Sequence, residues 1–189
     1  MSTANKLIRS RRSHFPKEFS GQKLPDELIQ LALENADTAP SHKLTLPWRF
    51  AVFSGPALER LCDAMLAWYD AHTPAEAVNP DKRNKIAAYK HQISHAIGVG
   101  LHLSGKVPAW EEEAALAMAV QNLWLSMDED PHAAGYWSTG NGTGSDAMRA
   151  LCGWDETVLH RGWFFLGHVE TKRTHSQRSP IAQRVHWVS

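Results

Sequence analysis

Three short segments carry the residue types that could do chemistry. Arg11-Arg12-Ser13 places two guanidinium groups and a hydroxyl side by side. Such a set holds a phosphate, or the pyrimidine edge of a flavin, through charge-assisted bonds. Residues 39–50, APSHKLTLPWRF, crowd His42, Lys43 and Trp48 into one loop. Trp137-Ser138-Thr139-Gly140 leads into a glycine run, where exposed backbone N–H groups could bond an anion or a flat heteroaromatic ring. The sequence contains no HExxH, GxxxxGK[ST] or GxSxG motif.

Other signals are weaker. Gly140, Gly142 and Gly144 form GxGxG followed by Ser145, not GxGxxG, and only 45 residues follow Gly144. That is too few to complete a doubly wound sheet. His91 and His95 have the i, i+4 spacing of a helical metal pair, but no acidic or cysteine partner stands nearby. No metal is expected. Cys62 lies on an apolar helical face, where packing is the expected role.

Several elements must position these groups. A short helix is expected from Thr3 to about Arg11, with Leu7 and Ile8 inward. A second begins near Pro25, with Asp26 and Glu27 at its positive end. Leu28, Leu31, Ala32 and Ala36 form its face, and Pro40 stops it. A strand follows at Trp48–Phe53. Ser54-Gly55-Pro56 opens a third helix, in which Leu58, Leu61, Cys62, Met65, Leu66 and Tyr69 make one apolar face. Residues 73–84 read as a mobile surface excursion. Residues 96–103, AIGVGLHL, alternate as a strand whose small residues let a helix or flat ring approach closely. A long helix from Glu111 to about Met127 is apolar nearly all round, as expected of a helix buried in a domain or dimer. A strand near Ala134–Trp137, a short helix to about Cys152 and a strand at Gly162–Gly167 complete an α+β pattern in one domain, 1–189.

Composition excludes several classes. The 189 residues include only two cysteines, so no disulfide framework is expected. No apolar run reaches ~18 residues, and the first residues lack a secretory apolar core. The expectation is a cytoplasmic protein. Formal net charge is zero, yet residues 1–23 carry six basic side chains against one acid, and residues 167–189 carry four against one. Two basic ends around an acidic body suggest that the ends meet over something anionic. A nucleic-acid binder would more often be basic throughout.

The ordered set Arg11-Arg12-Ser13, Ala39-Pro40-Ser41-His42-Lys43 with Pro47-Trp48-Arg49-Phe50, Val107-Pro108 with Trp110-Glu111, Trp137 before a glycine, and Phe165-Leu166-Gly167 resembles the FMN-dependent nitroreductase family, in particular its short bacterial members. The resemblance implies a nitroreductase-like fold with a central mixed sheet flanked by helices. It also implies a swapped homodimer with one FMN per site at the interface. On that resemblance, Arg11, Arg12 and Ser13 hold FMN from one subunit, while Thr38 and His42 reach it from the other. Trp137, Ser138 and Thr139 line the flavin ring, and Lys172, with Arg173, meets the phosphate. NADH or NADPH would donate electrons, and a nitroaromatic, quinone or similar small molecule would accept them, with no catalytic acid or base required. Thr38 and Ser138 stand where relatives carry arginine, and residues 128–132, DEDPH, replace a glycine-rich link.

Two readings follow. The first is a flavin oxidoreductase. The second is a flavin carrier or sensor without turnover, which would share the yellow chromophore but not bleach and reoxidise. Asp128, Glu129 and Asp130 also raise the expectation that the 2′-phosphate of NADPH is repelled and NADH preferred.

Overall fold

A computed structural model of the chain describes residues 2–175 and 178–188. Helix α1 spans Thr3–Ser10, capped where the Ser2 hydroxyl accepts from Asn5 N–H at 3.3 Å. Helix α2 spans Asp26–Asp37, after which the chain turns through the 41–47 loop into strand β1, Trp48–Phe53. The loop is closed by a bond from Trp48 Nε1 to Asp37 Oδ1 at 2.7 Å, so strand start and helix end are tied directly.

Helices α3 (Gly55–His72) and α4 (Pro80–Gln92) precede strand β2 (His95–His102). Part of the expected excursion at 73–84 is therefore helix. Asn79 caps α4 by accepting from Asp81 and Lys82 N–H at 2.9 and 3.2 Å, and Pro80 opens its first turn. Only Ile86 and Tyr89 are buried along α4, too few to write an apolar stripe into the sequence. Helix α5 (Ala109–Glu129) leads to strand β3 (Ala133–Ser138), helix α6 (Asp146–Leu151) and strand β4 (Val158–His168).

The strands lie in the order β1-β2-β4-β3, and every neighbouring pair is antiparallel. The expected mixed sheet is thus wholly antiparallel among the described residues. Strands β2 and β3 do run in the same direction, but β4 lies between them, so no parallel pair forms.

Alternation along the strands divides the core in two. Ile97, Val99, Leu101, Phe164 and Leu166 face α5 and α2, meeting Leu116, Ala119, Val120, Leu123, Ile29, Ala32 and Ala36. Trp163 and Phe165 face the other way, onto Leu58, Leu61, Met65, Ile86 and Tyr89 of α3 and α4. The sheet is sandwiched between helix layers, which gives the α+β architecture its two buried faces. The flat ring expected over the small residues of β2 is Trp154: a Cβ on Gly100 would meet it at 2.7 Å.

Two residues expected inside are not. Ile8 is 57% exposed and Leu31 49%, because α1 and α2 turn those positions away from α5. Leu44, Trp110 and Met118 are also exposed. Of these, Trp110 and Met118 border one groove.

Candidate functional site

The end of α1 brings Arg11 to the C-terminal half of α5. Its guanidinium lies 4.3 Å above the Trp124 ring, a cation–π stack. Arg11 Nη1 is buried and has no hydrogen-bond partner. Burial pushes the Arg11 pKa down and Asp128 pushes it back up. Trp124 meets Phe164 edge-on at 5.1 Å, and Trp137 pairs across the sheet with Phe164. Trp124 Nε1 and Trp137 Nε1 are likewise buried donors without partners. The wall Arg11–Trp124–Phe164–Trp137 is thus aromatic and offers unpaired N–H groups. A buried unpaired donor costs free energy unless an acceptor reaches it.

Room for Trp137 comes from a bulge in β4. Val99 pairs with Gly162 but Gly100 pairs with His160, so Arg161 is an extra residue. Gly162 has φ +133°, and a Cβ there would lie 2.5 Å from Ser138 O and 2.8 Å from Trp137 Nε1. Arg161 is turned outward onto Glu113, at 2.5 Å.

The two basic ends of the chain do meet. Lys172 Nζ donates to the Asp128 carbonyl oxygen at 2.6 Å and lies 3.3 Å from Asp128 Oδ1. Arg173 Nη2 donates to Glu18 Oε1 at 2.6 Å, and its guanidinium lies 5.3 Å from the Phe15 ring centre. Arg12 donates to the carbonyls of Arg9, Arg11, Thr174 and His175, at 2.6 to 3.1 Å. It joins the end of α1 to the C-terminal segment rather than pointing into open space. Ser13 is half-buried beside them. Lys172, Arg173, Thr174 and His175 line a cavity of about 590 Å³.

Two further residues assemble this junction: His14, which the sequence did not mark out, and Asp128, expected in another role. His14 is buried; its Nε2 accepts from Arg173 N–H at 3.3 Å, so its Nδ1 carries the proton and faces Glu18 at 3.4 Å. Burial lowers its pKa. Asp128 binds Lys172 and accepts from Ser10 Oγ at 3.4 Å. A histidine directly after Arg-Arg-Ser was the signal for the first. The second was read as one of three acids meeting a nucleotide donor, and that expectation is corrected. Asp128 is occupied by Lys172, and Asp130 caps the turn by accepting from His132 and Ala133 N–H at 2.8 and 2.9 Å. Of the three, only Glu129 stands exposed.

The remaining expected residues are dispersed. Ser138 Oγ turns back to accept from Gly140 N–H at 3.3 Å, and Thr139 is exposed. Thr38 donates to Asn35 O at 2.7 Å and lies 3.5 Å from Asn122 of α5. His42 pairs with Glu111 at the opposite end of α5. That end forms a groove of about 410 Å³ with Pro40, Trp110, Ala114 and Met118. Glu111 and Asp128 are seventeen residues apart on one helix, about 26 Å at 1.5 Å per residue. Within one chain, His42 does not join the Arg11–Lys172 cluster.

His91 and His95 do not share a helix. His95 lies in β2, with Nε2 3.1 Å from Asp26 Oδ1 and Nδ1 2.9 Å from Ser94 Oγ. No group of three or more potential metal-ligating side chains occurs among the described residues, and no helix among them is long and apolar enough to cross a membrane.

An antiparallel sheet between helix layers, with paired basic termini beside an aromatic wall, defines a class of fold that known proteins share. Residues 8–168 match the nitroreductase family, and the chain belongs to it. Over 154 residues it is 26% identical to YdjA of Escherichia coli K12, provisionally named an NAD(P)H nitroreductase, covering 82% of each chain. A nitroreductase-like protein from Bacillus cereus superposes with a TM-score of 0.80 at 20% identity, over 100% of this chain and 97% of the other. The FMN-dependent nitroreductase NfnB from Mycobacterium smegmatis, solved in complex with NADPH, gives 0.77 at 18% identity over 98% of each. At these identities the two structures attest the fold.

Proposed function

We propose that this chain is an FMN-dependent oxidoreductase that passes two electrons from NADH or NADPH to a small acceptor such as a nitroaromatic or a quinone, and that it works as a homodimer. The observation that carries the reading is Arg11, half-buried and stacked on Trp124, with its buried Nη1 unpaired. The residues present fit FMN. A flavin ring offers the acceptors that Arg11 Nη1 and the indole N–H groups lack, and its phosphate suits the cations at the meeting of the chain ends.

Bound FMN supplies the two-electron carrier between donor and acceptor. The protein's own residues do the holding. Arg11 donates to the ligand, Lys172 neutralises phosphate charge, and Ser13 adds a hydroxyl. Trp124, Phe164 and Trp137 exclude water from the wall. Arg12 and Arg173 are positioning residues, since their guanidinium groups hold Thr174, His175 and Glu18. Trp137 meets the ligand through its indole, whereas Ser138 and Thr139 contribute through the loop that carries them.

The length of α5 supports the dimer reading. Its His42 end lies about 26 Å from its Lys172 end, so a second copy is needed to bring Thr38 and His42 to an occupied site. Exposed Trp110, Met118, Leu44 and Ile8 supply apolar surface for that contact. The chain reads throughout as a single FMN-binding domain of the cytoplasm.

The test is spectroscopic. The purified protein, reconstituted with FMN, should bleach on anaerobic addition of NADH or NADPH and recover its colour with a nitroaromatic or quinone. Bound flavin that neither donor bleaches would make the protein a carrier or sensor. Failure to retain flavin at all would remove both readings.

A further inference from the structure

Asp128 is placed where a carboxylate is costly. It occupies the last turn of α5, where the helix dipole is negative, and that turn holds no basic residue. Its side chain is only 4% exposed. Oδ1 lies 3.3 Å from Lys172 Nζ, and Oδ2 accepts from Ser10 Oγ at 3.4 Å. The same lysine also donates to the Asp128 backbone carbonyl at 2.6 Å. Lys172 is therefore aimed by a carbonyl that any residue would provide. What the Asp128 side chain adds is negative charge.

That charge sits among few free cations. Arg12 is spent on backbone carbonyls and Arg173 on Glu18. Arg11, Lys172 and Arg178, the last close enough to act on the Arg11 charge, remain to face an anion, and Asp128 offsets one of them. A phosphate monoester at neutral pH carries nearly two negative charges. Buried charges are screened little, so the carboxylate opposes an incoming phosphate. We infer that Asp128 limits the affinity of the site for phosphate-bearing flavin and so keeps FMN exchangeable. The inference rests on the proposed placement of FMN with its phosphate at Lys172.

Asp128→Asn isolates the effect, because the backbone carbonyl that aims Lys172 is retained. Flavin-free protein is titrated with FMN and with riboflavin, following flavin fluorescence, for the wild type, Asp128→Asn, Lys172→Met and the double variant. The quantity read is the preference for FMN over riboflavin, which cancels changes in the ring site. Asp128→Asn should raise this preference about three- to thirtyfold, with less gain in high salt, and slow FMN release from the loaded protein. Lys172→Met should lower it. If Lys172→Met leaves the preference unchanged, the phosphate does not lie at Lys172, and both readings fall. If Lys172→Met lowers it while Asp128→Asn leaves it unchanged or lowers it, the inference about Asp128 alone is overturned. Should Asp128→Asn bind neither flavin, Asp128→Ser is measured the same way. Loss of both ligands there as well makes Asp128 a structural support and overturns the inference.

Discussion

The Arg11 guanidinium lies 4.3 Å above the Trp124 ring and leaves Nη1 buried without a partner. The stack fixes the plane of the guanidinium before any ligand arrives, so little side-chain freedom is lost on binding. Arg11→Ala should weaken FMN by about ten- to a hundredfold, since a charged hydrogen bond contributes about 1.5–3 kcal/mol. Arg11→Lys should not restore it, because an ammonium lacks the planar fork. Titration with FMN and riboflavin checks this, and equal binding by wild type and Arg11→Ala would remove Arg11 from the site.

The bulge glycine gives a second expectation. Gly162→Ala combines φ +133° with a Cβ 2.5 Å from Ser138 O. Strain of this kind costs about 1–3 kcal/mol, and the clash adds to it. The variant should melt at lower denaturant concentration and show altered near-ultraviolet dichroism from the displaced Trp137 indole.

Acid sensitivity follows from His160. It is 2% exposed, and burial pushes its imidazole down to about 4 from an ordinary 6.5. The unfolded chain therefore binds a proton between those values that the folded chain refuses. Stability is whole above pH ~6.5 and falls as pH drops towards 4, by about 3 kcal/mol for this group at 1.36 kcal/mol per unit. His14 and His95, also lowered by burial, act in the same direction. Urea unfolding from pH 7.5 to 4.5 should show the decline, and His160→Gln should flatten part of it.

The proposed dimer surface can be broken without touching the Arg11 wall. Trp110, 70% exposed, and Met118, 41% exposed, lie by the His42 groove. Trp110→Glu with Met118→Glu would force two carboxylates into an apolar contact and should yield monomers in sedimentation velocity at micromolar concentration. Because the proposed site spans both copies, the monomer should lose flavin too. A monomer that keeps FMN with wild-type affinity would show that the site is complete within one chain.

Much of this molecule was written in local sequence. Trp48–Phe53 reads as a strand from its composition, and the face Leu58, Leu61, Cys62, Met65 and Tyr69 of α3 follows from helical spacing, because both patterns reflect burial on one side. Arg11-Arg12-Ser13 and the basic ends were equally visible, since charge and residue type need no fold to be read. Helix α4 was hidden, because two buried residues make no stripe, and its cap at Asn79 and Pro80 was its plainest mark. What the tertiary structure alone decided is which charges are free. Ten basic residues near the chain ends look alike in sequence. Folding spends Arg12 on carbonyls and Arg173 on Glu18, sets Lys172 against Asp128, and leaves Arg11 unpaired over Trp124. Those partners lie from 44 to more than 150 residues apart, and only packing α1, α5 and the C-terminal segment together selects among them.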